Sequence, residues 1–149
     1  MKTDISTSSS VAVDAPADEV WRALTTPELI KQWFFGVDTK SDWKQGSPIV
    51  HTGEWQGKPY VDKGEIVRIE PPHVLVHTHW SDLSGTPDSP EHYQEVAWEI
   101  SERSGGSVLK ITEHNLPSVE ARGASDQAWS MVLRNLKTLL EGRPQVADR

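Results

Sequence analysis

Three of the chain's six histidines, His73, His77 and His79, fall within one strand-like run, HVLVHTHW, that ends in Trp80. Imidazoles two residues apart share one face of a strand, and such a pair can bind a metal or move a proton. A metal also needs a third ligand and an open position, which the run does not supply by itself. Strand parity sorts the residues: Val74, Val76, Thr78 and Trp80 form the more apolar face and are expected to look inward. Leu75, His77 and His79 are then expected to face solvent, near Glu95, Glu99 or Lys110. No metal site is expected. The same alternation in HYQEVAWEI and SVLKITEH turns His92, Val96, Trp98 and Ile100, and then Leu109, Ile111 and Glu113, towards the core. A buried carboxylate is costly without a partner, so His92 and Glu113 are the candidate catalytic pair, or the holders of a ligand's polar end. The competing expectation puts both at strand ends, exposed at the rim. His51 and Glu54, on either side of a Thr-Gly pair, read as surface residues near the end of a sheet.

The elements that must position these side chains follow from periodicity. ISTSSSVAV (5–13) reads as a strand, and DAPADEVWRAL and TTPELIKQWF as two short helices, each with a proline in its first turn. Thr26 is a candidate N-cap for the second. Strand-like runs then recur at 47–55, 59–70, 73–80, 93–101 and 107–115, separated by the turn signals QGKP, EPPH, SGTPDSPE and RSGG. Connections this short make the strands mostly antiparallel. In DQAWSMVLRNLKTLLEG, Trp129, Val132, Leu136 and Leu139/Leu140 lie on one helical face, and Gly142 and Pro144 mark the end, with a frayed tail beyond. An antiparallel sheet with one apolar face must be covered, and only this helix is long enough to do so. The expected fold is α+β: a curved antiparallel sheet wrapped around a long C-terminal helix, with two short helices after the first strand.

Composition narrows the function. At 149 residues the chain is expected to form a single domain over 1–149, its core about 5–141. It has no cysteine, which excludes disulfides and thiolate chemistry and fits a cytoplasmic location. A formal charge of −7 with no basic patch argues against nucleic acid. No apolar run approaches a membrane span, and MKTDISTSSS lacks the apolar stretch of a secretory signal. Phosphate loops, dinucleotide fingerprints, nucleophile elbows and zinc-protease motifs are all absent, and no cofactor is expected. Seven tryptophans against two Phe and two Tyr point to a large interior or a lined pocket.

Taken in order, APADEVWRALTTPELIKQWF, GEIVRIEPPHVLVHTHW, the GGS hairpin and the closing W…L…L…LLE pattern resemble the START-like (SRPBCC) superfamily. Within it they are most similar to the family named after the activator of the heat-shock protein 90 ATPase, over about residues 5 to 141. The resemblance implies a helix-grip fold, often built around a hydrophobic cavity, and members that include lipid carriers, cyclases and co-chaperone domains. That family often has a histidine where Glu113 stands, whereas here His114 follows one position later. The leading expectation is a small hydrophobic or aromatic ligand held between sheet and helix. Its lining would be Val76, Thr78, Trp80, His92, Val96, Trp98, Ile111 and Glu113 from the strands and Trp129, Val132, Leu133 and Leu136 from the helix. Trp55 and Tyr60, in WQGKPYVDKG, would either line the pocket entrance or sit on an ordinary hairpin tip. An enzyme of cyclase, dehydratase or hydrolase type in the same cavity is the alternative, and a co-chaperone-like module with a chaperone partner is the second. An exposed sheet edge would also allow a homodimer.

Overall fold

The structure is a computed structural model that describes residues 2–142. Strand β1 (Ser6–Val13) leads into helices α1 (Ala17–Thr25) and α2 (Pro27–Trp33). Then come β2 (Asp38–Ser41), β3 (Pro48–Trp55), β4 (Lys58–Glu70), β5 (Val74–Ser81), β6 (Gln94–Arg103), β7 (Gly106–His114) and the long helix α3 (Val119–Glu141). The strands form one seven-stranded sheet in the order β1-β7-β6-β5-β4-β3-β2, antiparallel at every pairing. This is the α+β helix-grip arrangement anticipated from the order of the elements. Among the described residues no helix is long and apolar enough to cross a membrane.

Local chemistry accounts for the element ends. Pro16 precedes α1, whose first turn carries Asp18 and Glu19 against the positive end of the helix dipole. Thr26 stands at the N-cap of α2 but makes no side-chain cap hydrogen bond, so Pro27 at the first turn does most to start that helix. Helix α3 begins at Val119, well before the expected Asp126, because the Ser118 hydroxyl accepts from the Ala121 N–H and caps it. Its apolar stripe begins only at Trp129, so periodicity understates its length. Gly142 closes it in a left-handed conformation with φ 63°, while Pro144 and the expected frayed tail lie outside the described residues. β2 escaped the sequence reading because DTKS is short and polar. The loop after β5 holds a single 3-10 turn, Pro90–His92.

The core lies between the concave face of the sheet and the helices. Leu109 and Ile111 from β7, Val96, Trp98 and Ile100 from β6, and Leu75 from β5 meet Val20, Leu24 and Ile30 from the short helices and Val132, Leu133 and Leu136 from α3. Helix α3 is fastened to the β1 side of the sheet: Lys137 Nζ donates to the Ala12 carbonyl at 2.9 Å, and the Asp14 N–H donates to Glu141 Oε2 at 3.1 Å. On the other side a β-bulge between Ile66 and Arg68 shifts the β4–β5 register and restores Ile69 to the concave face opposite Leu75.

Two glycines in the β3–β5 region show how closely the chain approaches itself. A Cβ at Gly64 would collide with the Thr78 carbonyl, which is backbone and cannot yield. A Cβ at Gly53 would meet the Tyr60 hydroxyl at 2.8 Å, the far end of a side chain that can rotate away. Gly64→Ala should therefore cost about 2 kcal/mol or more and Gly53→Ala under about 1 kcal/mol. Urea unfolding of both variants checks this, and equal costs would contradict the backbone approach.

Candidate functional site

The sheet register decides what faces the interior. Leu75 pairs directly with Trp98 and His77 with Val96, and residues opposite one another share a face. Trp98 and Val96 are buried in the core, so Leu75, His77 and His79 look inward too. The parity expected for β5 is therefore reversed. Val76, Thr78 and Trp80 lie on the outer face, where Trp80 stacks on Tyr93 with ring centroids 6.3 Å apart and Lys63 Nζ sits over its ring. The error has a physical source: Val74, Val76 and Trp80 make the outer face of β5 more apolar than the inner one. The long loop after β5 also breaks the count of positions from β6. His51 on β3 is likewise buried, not exposed, because it follows Ile49 on the concave face.

An interior cavity of about 30 Å³, room for one or two waters, lies under this face. One wall is aromatic. Trp98 meets Trp33 edge-on at 5.6 Å and Trp129 edge-on at 5.7 Å, and Phe34 stacks on Trp129 at 6.3 Å. Trp43, from the loop between β2 and β3, also borders it. Three imidazoles, His51, His77 and His79, also line it, with His51 6.4 Å from His77 and 6.5 Å from His79 between ring centroids. Among the described residues no group of three or more His, Cys, Asp or Glu is arranged to hold a metal.

Each imidazole is tied in place. His51 Nδ1 bonds the Thr39 hydroxyl at 2.8 Å, and both are buried. His77 uses both nitrogens: Nδ1 lies 3.0 Å from the Thr78 carbonyl and Nε2 3.4 Å from Trp98 Nε1. A carbonyl accepts and an indole N–H donates, so only the neutral ring with its proton on Nδ1 satisfies both. His79 Nε2 lies 3.0 Å from Asp62 Oδ2. Asp62 Oδ1 is buried without a hydrogen-bond partner of standard geometry.

Of the side chains anticipated for ligand binding, Val96, Trp98 and Trp129 border this cavity. Ile111, Val132, Leu133 and Leu136 are buried core around it. Glu113 is buried beside it, its Oε1 accepting from Trp129 Nε1 at 2.8 Å, so it steadies the indole. His92 sits on the 3-10 turn with Nδ1 at 2.9 Å from the Ser89 hydroxyl and does not join Glu113 in a pair. Trp55 is 60% exposed at the β3–β4 hairpin, and Tyr60 covers Gly53. Asp62, Thr39, Phe34 and Trp43 were missed. The signal available for Asp62 was its place two residues after Tyr60 on a strand opposite His51.

Burial pushes His51 down to about 3, helped by the charges His77 and His79 can carry, and pushes His77 down to about 4. For Asp62 burial works the other way, yet hydrogen bonds from His79 and Ser81 and the nearby His79 charge outweigh it and leave its carboxyl below the ordinary range. In the unfolded chain both histidines take protons below the usual 6.5, whereas the folded chain refuses them until about 4 and about 3. Stability should therefore be flat above pH 6.5 and fall as pH drops towards 3, by an amount on the order of several kcal/mol. Urea titrations at stepped pH check this. His77→Gln should lower stability at neutral pH but flatten the slope, and an unchanged slope would contradict the assignment.

The match to known proteins is broad. The chain matches the family described as Activator of Hsp90 ATPase homolog 1-like protein over residues 14–141. A Cytophaga hutchinsonii protein solved in solution is 37% identical, with a TM-score of 0.82 across 95% of this chain and 97% of its own. CalU16 of Micromonospora echinospora is 29% identical, with a TM-score of 0.71 across 91% of this chain and 75% of that one. Aha1 of Colwellia psychrerythraea, solved as a dimer, shares the fold at 18% identity, with a TM-score of 0.74 across 92% of this chain and 96% of its own. Comparison with curated proteins gives no match. With most of its length aligned and its strand order and long helix in the same arrangement, the chain belongs to the Activator of Hsp90 ATPase homolog 1-like family, within the START-like superfamily.

Proposed function

We propose that this protein binds a small aromatic molecule between the concave face of the sheet and α3. The observation that carries the reading is the cavity's mixed lining: aromatic rings together with hydrogen-bonding imidazoles. A site that is mostly apolar with a few fixed polar groups is the usual make-up of a small-molecule pocket. A core with no ligand to receive has little reason to bury two imidazoles and half-bury a third, since each must be held neutral or paired.

At about 30 Å³ the cavity has room only for water, so a ring-sized ligand has to displace a side chain. Trp43 is the one best placed to move. It is half-buried, stands on a loop at φ 56°, and borders the cavity from the side of the four-residue edge strand β2. Phe35, at φ 52° and 56% exposed, marks the other end of the same segment. Left-handed backbone at a bulky residue costs about 1–2 kcal/mol, so this segment gives up strain when it rearranges.

Titration with substituted benzenes, followed by quenching of tryptophan fluorescence, tests the reading. The expected result is saturable quenching by the wild type and roughly tenfold tighter binding by Trp43→Ala, which removes the ring that must otherwise be displaced. Absence of quenching in both proteins, each folded by circular dichroism, would overturn it.

A further inference from the structure

The imidazole wall has a polarity that restricts what can sit against it. His77 is saturated by Thr78 and Trp98. His79 is not. Its Nε2 faces Asp62 Oδ2 at 3.0 Å, and an ionised carboxylate can only accept, so Nε2 carries the proton. In the neutral ring, Nδ1 is then a lone-pair acceptor. It has no hydrogen-bond partner among the described residues, on a ring that borders the cavity. Asp62 fixes that tautomer, as carboxylates do behind ligating or catalytic imidazoles.

Among the described residues no Lys or Arg borders the cavity, so a carboxylate or phosphate would meet no cation from them. An ammonium group would also be desolvated there, while the nearby carboxylates Asp62 and Glu113 are already engaged by His79 and Trp129. A neutral group that donates a hydrogen bond carries neither cost. Resting on the ligand-binding reading above, we infer that the occupant is an aromatic molecule with a weakly acidic hydroxyl, which donates its hydrogen bond to His79 Nδ1. Its ring lies against Trp98 and Trp129. Asp62 is the positioning residue: it holds His79 in the tautomer that can accept. An acidic hydroxyl is favoured over an aliphatic one because hydrogen bonds strengthen as the donor gains charge character.

The test compares 4-nitrophenol, kept below its own pKa so that it is neutral and can donate, with 4-nitroanisole, which has nearly the same shape but no donor. The wild type should bind the phenol about tenfold more tightly, the size of one well-formed buried hydrogen bond. His79→Phe should bring the ratio close to one. Imidazole nitrogen-15 resonances of the wild type give a readout that needs no variant: His79 Nδ1 should shift on adding 4-nitrophenol and stay in place with 4-nitroanisole. Equal binding of the two compounds by the wild type, or an unmoved Nδ1 resonance at saturation, would overturn the hydroxyl assignment and leave the binding reading intact. Binding of neither compound would overturn both.

Discussion

A neutral imidazole at the middle of the sheet ties the interior together. His77 donates to the carbonyl of Thr78 and accepts from the indole of Trp98; protonation removes the second bond and a ring flip breaks both. A buried polar atom left without a partner costs about 1–3 kcal/mol, so the pair of bonds strongly favours one arrangement over its alternatives. That arrangement orients Trp98, against which Trp33 and Trp129 pack edge-on. Glu113 then fixes the far end of Trp129. The aromatic wall is thus held by polar contacts at its back, so its rings can border a cavity without closing it.

The same logic separates the two kinds of histidine in the molecule. His51, His77 and His79 share one concave surface, contributed by β3 and β5 with β4 between them, and each has a dedicated partner. His73 and His92 lie outside it, bonded to Glu102 and Ser89 at exposed or loop positions. Sheet curvature brings β3 and β5 over the same cavity, with Asp62 on the intervening β4 reaching His79. A local pattern in any one strand would not have produced this cluster.

Much of the architecture was legible because it rests on periodicity. The helical stripe of α3, the prolines opening α1 and α2, and the alternation in β6 and β7 each declare an element and its inward face. The candidate site was only half legible. Trp98 and Trp129 could be read because each sits in an otherwise apolar stripe. β5 could not, because its outer face carries Val74, Val76 and Trp80, so hydrophobicity pointed the wrong way. What fixes β5 is its pairing with β6, a long-range fact that the loop from 82 to 93 hides from any local count. The acid–base pair expected from His92 and Glu113 failed for the same reason: parity placed His92 on a strand, while Pro90 turns that residue into a 3-10 turn.

The two edges of the sheet are unequal, and this bears on how the interior exchanges with solvent. β1 is paired with β7 over eight positions and is further held by Lys137 and Glu141 of α3. β2 has only four pairs, all with β3, between two aromatic residues in left-handed backbone. Native-state hydrogen exchange at its amides should thus run through a local opening rather than global unfolding, since such short units detach at a fraction of the total free energy. The cavity borders β3, next to that weak edge, so solvent can reach it while β1, β7 and the carboxyl half of α3 stay folded. Firm anchorage and local access can therefore coexist in one sheet.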